Sequence, residues 1–298
     1  MLDRQNTINT SSTRSGIGLH SARLVVITIR PAPVDTGIVF YRSDLTGIET
    51  AIPAHINNVS DVSLNTSICN SDGAEIGTIE HLMAAFAGMG IDNAYVDVSG
   101  PELPAFDGSS DRYCQMITEA GIKEQSEPRR YIKVLKPVSV QFHQAVSTLT
   151  PSSALHISTK IDFSDPFIGA SQYFYVHDEN SFVNELSAAR TFCLYKDVSQ
   201  MRAAGYAIGG SLDNAIVVKD GQMLNETPLR YTDEFVRHKT LDCLGDMRLA
   251  GLGIIGHMTT SRPGHRINSE LLKALFSDDS NYIIVTSDEL SDAEEKVA

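Results

Sequence analysis

Residues 232–251, TDEFVRHKTLDCLGDMRLAG, constrain the chain more than any other stretch. Thr232 is a capping residue, and Asp233 and Glu234 suit the positive end of a helix dipole. Gly251 can take the left-handed turn that closes a helix. Between these ends His238, Asp242 and Asp246 recur every fourth residue, which stacks them on one helical face. Phe235, Leu241, Leu244 and Met247 supply apolar surface elsewhere around the barrel. An imidazole and a carboxylate one turn apart can reach a single metal ion, and the third acid then sits beyond it, able to orient another group. A histidine and an aspartate four apart are more often a plain surface pair, so the case for a metal must come from the rest of the chain.

At 298 residues the chain is long enough for about two domains with a proper core in each. Its 24 basic and 37 acidic residues leave a net charge of -13, which argues against nucleic acid or an anionic membrane as the main partner. An anionic substrate would have to be met by a local cluster of bases. Cys69, Cys114, Cys193 and Cys243 show no CxxC or zinc-finger spacing and read as thiols in a reducing compartment. The first 16 residues are polar, unlike a secretory signal, and no stretch approaches the length of a membrane span. The expected location is the cytoplasm, with no obligatory protein partner.

Residues 23–29 and 37–41 read as strands, followed by a helix over 78–88 with Thr78 as its cap, and a strand over 91–98. A turn-rich loop, 101–110, leads into a helix over 111–120. Residues 121–130, GIKEQSEPRR, are polar and carry a proline, so they are the expected linker. The division is 1–126, carrying Glu80 and His81, and 127–298, carrying His238, Asp242 and His265. Residues 153–163 alternate as a half-buried antiparallel strand does. A strand over 252–260, a loop over 261–268 and a helix from about Ser269 to Phe276 follow. AGMGI at 87–91 is echoed by AGLGI at 250–254, each expected to end a helix and start a strand. If the echo marks a duplication, the helix carrying Glu80 and His81 is the counterpart of the one carrying His238 and Asp242, and the two face each other across a cleft.

A hydrolytic zinc site takes three protein ligands from histidine and carboxylate, and His81, His238 and Asp242 meet that count. It needs a base for water, for which Glu80 stands beside His81, and a proton for the leaving group, which His265 could give with Asp246 keeping it protonated. Each has a plain alternative. Glu80 could serve a helix dipole, His265 could cap a carbonyl, and Asp246 could pair with Arg248.

GIGLH at 16–20, TIEHLMAAFAGMGIDNAYVDV at 78–98, ELPAFDGSS at 102–110, ARTF at 189–192, GGSLDNAIVV at 209–218 and DEFVRHKTLDCLGDMRLAG at 233–251 with GH at 264–265 resemble the UDP-3-O-acyl-N-acetylglucosamine deacetylases, zinc amidases of lipid A synthesis. The resemblance is collinear from about residue 7 to residue 276. It implies an α+β fold of two similar domains, each an antiparallel sheet with helices, the helices sandwiched between the two sheets and the site between them. It implies zinc, with ferrous iron as the alternative, held by His81, His238 and Asp242. It further implies Glu80 as general base, His265 as general acid with Asp246 behind it, and Thr191 polarising the amide carbonyl. Lys239 would lie near the sugar-nucleotide, Phe163 would meet the nucleotide, and Phe192 and Leu194 would belong to the apolar acyl-chain passage. Lys239 and Arg262 would meet the diphosphate of the acylated UDP-sugar.

The chain departs from the family at Arg262 and Pro263, where many relatives have a lysine and a small residue, and matches poorly over most of 164–190 and over 277–298. Those departures bear on acyl-chain length and nucleotide contacts rather than on the chemistry. Two other readings remain at this point: a zinc amidase for another N-acylated sugar, and a non-catalytic protein with a zinc-stabilised interface.

Overall fold

The computed structural model describes residues 4–295. Its helices are α1 (Glu80–Gly88), α2 (Asp111–Ala120), the single turn α3 (Glu179–Ser181), α4 (Tyr195–Ala203), α5 (Glu234–Met247), α6 (His265–Phe276) and α7 (Ser287–Glu295). The architecture is α+β. One five-stranded sheet runs in the order Ser12–Ile17, Leu24–Pro31, Ala94–Val98, Ile38–Arg42, Ala51–Pro53. A seven-stranded sheet is built on the long strand Gly253–Ser261, which pairs with Arg130–Val134, Ala145–Thr150 and Leu155–Asp162. Helix α2 packs on the first sheet, α5 and α6 pack on the second, and α1 lies against both α2 and α5. The helices therefore form the layer between the two sheets, and one apolar core runs through all of it.

Both sheets are mixed. Ala94–Val98 is antiparallel to Leu24–Pro31 and parallel to Ile38–Arg42. Leu155–Asp162 keeps its expected alternation of buried and accessible side chains, with an antiparallel neighbour on one edge and the parallel strand Gly253–Ser261 on the other. The order helix–strand–helix recurs as α1, Ala94–Val98, α2 and as α5, Gly253–Ser261, α6. The two AGxGI turns nevertheless differ in backbone: Gly90 takes φ +68 in the first, whereas Gly251 takes φ +85 in the second.

Four local expectations are corrected. Residues 122–128 are a strand paired with Arg4–Ile8, not a linker. Their polarity reflects a strand whose own side chains lie mostly in solvent, while its partner Arg4–Ile8 is largely buried. Thr78 does not cap α1: Ile79 holds that position with no side-chain cap, and Thr78 has φ +57. Thr232 does not cap α5, since Asp233 holds that position with no side-chain cap, while Gly251 closes the segment in the left-handed conformation as expected, after a 3-10 turn, Arg248–Ala250. Helix α6 begins at His265 rather than near Ser269, so His265 stands at a helix start and not on a loop.

The layer is tightest where α1 crosses α5. A Cβ on Gly245 would fall inside the carbonyl group of Glu80 and 3.1 Å from the Ala84 amide nitrogen. Only a residue without a side chain lets the two backbones meet there. Gly245→Ala should therefore destabilise the fold by roughly 1–3 kcal/mol as the helices are forced apart. A denaturant midpoint unchanged from wild type would refute that close approach.

Candidate metal centre

Helix α1 delivers Glu80 and His81, and α5 delivers His238, Asp242 and Asp246, all buried. The local chain holds each of them. The hydroxyl of Ser110 donates to the carbonyl of His81 (2.7 Å). Glu234, which the sequence suggests as a plain dipole acid, is fully buried and bonded to the Arg190 guanidinium and amide. That ion pair clamps residues 189–191 onto α5. The Ala189 carbonyl then lies 3.0 Å from His238 Nδ1, which donates to it and leaves Nε2 with a free lone pair.

His81 Nε2 and His238 Nε2 lie 3.6 and 3.4 Å from the same oxygen, Asp242 Oδ1. The three ligand atoms all fall within 4.8 Å of one another. Two atoms bound about 2.1 Å from one tetrahedral ion stand roughly 3.4 Å apart. Asp242 Oδ1 is buried without a hydrogen-bond partner, while Oδ2 accepts from Lys239 Nζ at 3.0 Å. An unpartnered buried carboxylate oxygen is costly unless something positive meets it. The donor set and the orphaned oxygen thus fit a divalent metal with a fourth position open.

The electrostatics agree. Burial pushes the His238 imidazole down to about 3, so it is a neutral ligand. Burial alone would raise the Asp242 carboxyl, but the neighbouring His238 and Lys239 hold it well below the ordinary carboxylate range. Lys239 is pulled down by burial and more than restored by Asp242, so it stays charged.

Glu80 and His265 face each other beside this cluster, with Oε1 and Nε2 3.8 Å apart. Burial raises the Glu80 carboxyl against the pull of His265 and His81, making it a stronger base than an ordinary glutamate. His265 is pushed down by burial, but Asp246 and Glu80 outweigh that and raise it to about 9. Asp246 Oδ2 accepts from His265 Nδ1 (2.9 Å) and Asn268 Nδ2 (2.8 Å).

A cavity of about 780 Å³ opens from this cluster. Thr191, Phe192, Lys239 and His265 line it, and beyond them its wall turns apolar through Val198, Met201, Leu212 and Val217. Leu194 turns away and packs on a small core around Ile161 and Phe235, so Cys193 and Tyr195 hold the neighbouring positions in the cavity wall. Phe163 is half-buried, its ring 5.4 Å from that of Phe192, and is not part of the wall. Arg262 pairs at the surface with Asp162 (2.6 Å), beside Phe163, and does not reach the cavity either. The residues not anticipated are His20, in the cavity wall with Nδ1 accepting from the Ala207 amide, together with Thr66 and Asn268. Only His20, inside the GIGLH motif, carried a signal that could have drawn attention to it.

A sequence-family model described as UDP-3-O-acyl N-acetylglycosamine deacetylase matches residues 5–277. The UDP-3-O-acyl-N-acetylglucosamine deacetylase of Shewanella oneidensis is 41% identical over 291 residues, covering 97% of this chain and 95% of that protein. The protein of the same name from Shewanella baltica is 41% identical over 290 residues, covering 97% and 94%.

A cation that meets the orphaned Asp242 oxygen stabilises the folded chain alone. Adding zinc to chelated protein should raise its thermal midpoint, and His238→Ala should abolish that rise. A rise retained in full by His238→Ala would place the metal elsewhere.

Proposed function

This chain belongs to the family of UDP-3-O-acyl N-acetylglycosamine deacetylases, and from that premise we propose that it hydrolyses the N-acetyl group of UDP-3-O-acyl-N-acetylglucosamine in lipid A synthesis, with zinc held by His81, His238 and Asp242. The carrying observation is the meeting of a three-ligand cluster with a base and an acid, Glu80 and His265, at the head of an apolar cavity. Bound there, the metal supplies Lewis acidity, polarising a carbonyl and making water more acidic.

The protein's own groups do the rest. Glu80, which lines the cavity with Oε1 towards His265, takes the proton from the attacking water. The Thr191 hydroxyl, in the cavity wall, donates to the acetyl oxygen as negative charge gathers on it. His265, kept protonated by Asp246, gives its Nε2 proton to the departing amine. Acetate leaves, and the amino sugar retains its acyl chain and its UDP. Lys239 fixes the ligand carboxylate and offers its remaining N–H groups to the sugar. The acyl chain runs past Phe192 along the apolar wall, where each buried methylene contributes about 0.8 kcal/mol. In this reading the nucleotide end lies outside, towards Phe163 and Arg262. An exposed pair such as Arg262–Asp162 gains little, so exchanging the carboxylate for a phosphate costs little.

We read the chain as two units, 1–126 and 127–298, and assign it to the cytoplasm. No helix among the described residues is long and apolar enough to cross a membrane, and the four cysteines are free thiols.

Purified protein should release acetate from the acylated substrate, lose that activity to a chelator, and turn over far more slowly on a substrate lacking the 3-O-acyl chain. Glu80→Ala should keep its metal and lose turnover; sustained turnover would falsify the base assignment. The pH profile should be bell-shaped. Glu80 works ionised, so activity is lost as pH falls through its raised pKa. His265 works protonated, so activity is lost as pH climbs on the alkaline side of neutrality. His265→Ala should lose the alkaline limb, and an identical limb in that variant would remove it as the acid.

A further inference from the structure

Thr66 has no part in the chemistry described above, yet it bonds to both sides of the proton-transfer pair. It is fully buried, just before the short strand Ser67–Cys69. Its backbone N–H donates to Glu80 Oε2 (3.0 Å), and its hydroxyl donates to Asp246 Oδ1 (2.6 Å), 180 positions further along the chain. Its carbonyl accepts from the amide of Ile79 at the head of α1. Three short-range restraints therefore fix this one residue.

The side chains of Glu80, His265 and Asp246 close a ring through the backbone N–H and hydroxyl of Thr66. Thr66 occupies Glu80 Oε2, which leaves Oε1 towards His265 Nε2. His265 Nδ1 meets Asp246 Oδ2, and Asp246 Oδ1 returns to the Thr66 hydroxyl. The base comes from α1 and the acid from α6, each packed against α5, and Thr66 links them, its N–H on Glu80 and its hydroxyl on the Asp246 that holds His265. We propose that Thr66 is a positioning residue that sets the register between Glu80 and His265, acting on the acid through Asp246. This inference rests on the deacetylase reading above.

Thr66→Val keeps the shape and the backbone N–H but deletes the hydroxyl. Deleting a hydrogen bond to a buried carboxylate should lower kcat roughly ten- to a hundredfold. Because substrate contacts are untouched, KM should stay within about threefold and zinc content at the wild-type level. Thr66→Ser, which restores the hydroxyl, should recover most of kcat. Combined with Asp246→Ala, Thr66→Val should add less than about a twofold further loss, since its route of action is already gone. Should Thr66→Val fail to fold by circular dichroism, Thr66→Ala carries the same comparison against Thr66→Ser.

A valine variant with wild-type kcat, a serine variant as impaired as the valine one, a loss of activity that follows lost zinc, or losses that multiply fully with Asp246→Ala would each overturn the proposal. If wild-type protein releases no acetate, the deacetylase reading itself fails. If wild-type protein turns over, Glu80→Ala does not, and Thr66→Val matches wild type, only the role of Thr66 fails.

Discussion

Two helices far apart in the chain touch backbone to backbone at Gly245, and the rest of the centre depends on that contact. The glycine lies on α5 between Asp242 and Asp246, and it rests on the carbonyl of Glu80, the residue before His81. A side chain at 245 would shift both catalytic faces at once. Close packing turns a helix crossing into a fixed spacing between donor atoms, because interiors do not absorb even small volume changes without strain. The 3.6 Å separation between His81 Nε2 and Asp242 Oδ1 follows from that crossing, whereas the 3.4 Å between His238 Nε2 and the same oxygen is set by one turn of α5.

Charge is the second constraint. Glu80, Asp242 and Asp246 share a small buried volume with two cationic groups, Lys239 and His265. Most of their oxygens are accounted for. Thr66 occupies one on Glu80, three donors surround Asp246, and Lys239 takes one on Asp242. Two atoms are left over: Glu80 Oε1, which faces His265 Nε2, and Asp242 Oδ1, the one both imidazoles face. A divalent cation at Asp242 Oδ1 would convert an excess of negative charge into a site that favours a developing oxyanion. The same surroundings separate the two proton carriers: burial strengthens Glu80 as a base, and paired carboxylates keep His265 in its acid form.

Much of this was legible in the chain because it is local. His238, Asp242 and Asp246 share a face by helical periodicity, and Gly251 stops the segment as glycine does. The partnership of α1 with α5 was visible only as the short AGxGI echo. What remained hidden depends on contacts distant in sequence. Thr66 is one polar residue among many in a strand-like region, and nothing local couples it to Asp246. Gly245 reads as a weak point inside a helix until the backbone of α1 is laid against it. Leu194 was expected in the passage only through the family resemblance, whereas its side chain packs against the cluster around Ile161 and Phe235. The ribbon at 122–128 looked like a linker because an edge strand with two wet faces carries no hydrophobic alternation.

An acidic protein handling an anionic nucleotide sugar needs a reason for the complex to form. The net charge of -13 is spread over the surface, and at physiological ionic strength its field fades within about 8 Å. Charge recognition is therefore a local matter of the few bases at the mouth, and it contributes little wherever those bases are exposed. The apolar wall beyond Thr191 faces no such limit, because burying hydrocarbon is additive along the chain and indifferent to salt. In the proposed reading, affinity for the acyl tail holds the headgroup at the metal centre, and the energy of a remote, unreactive part of the substrate fixes the amide against Glu80 and His265. A substrate without that tail would meet the same catalytic groups with nothing to keep it there.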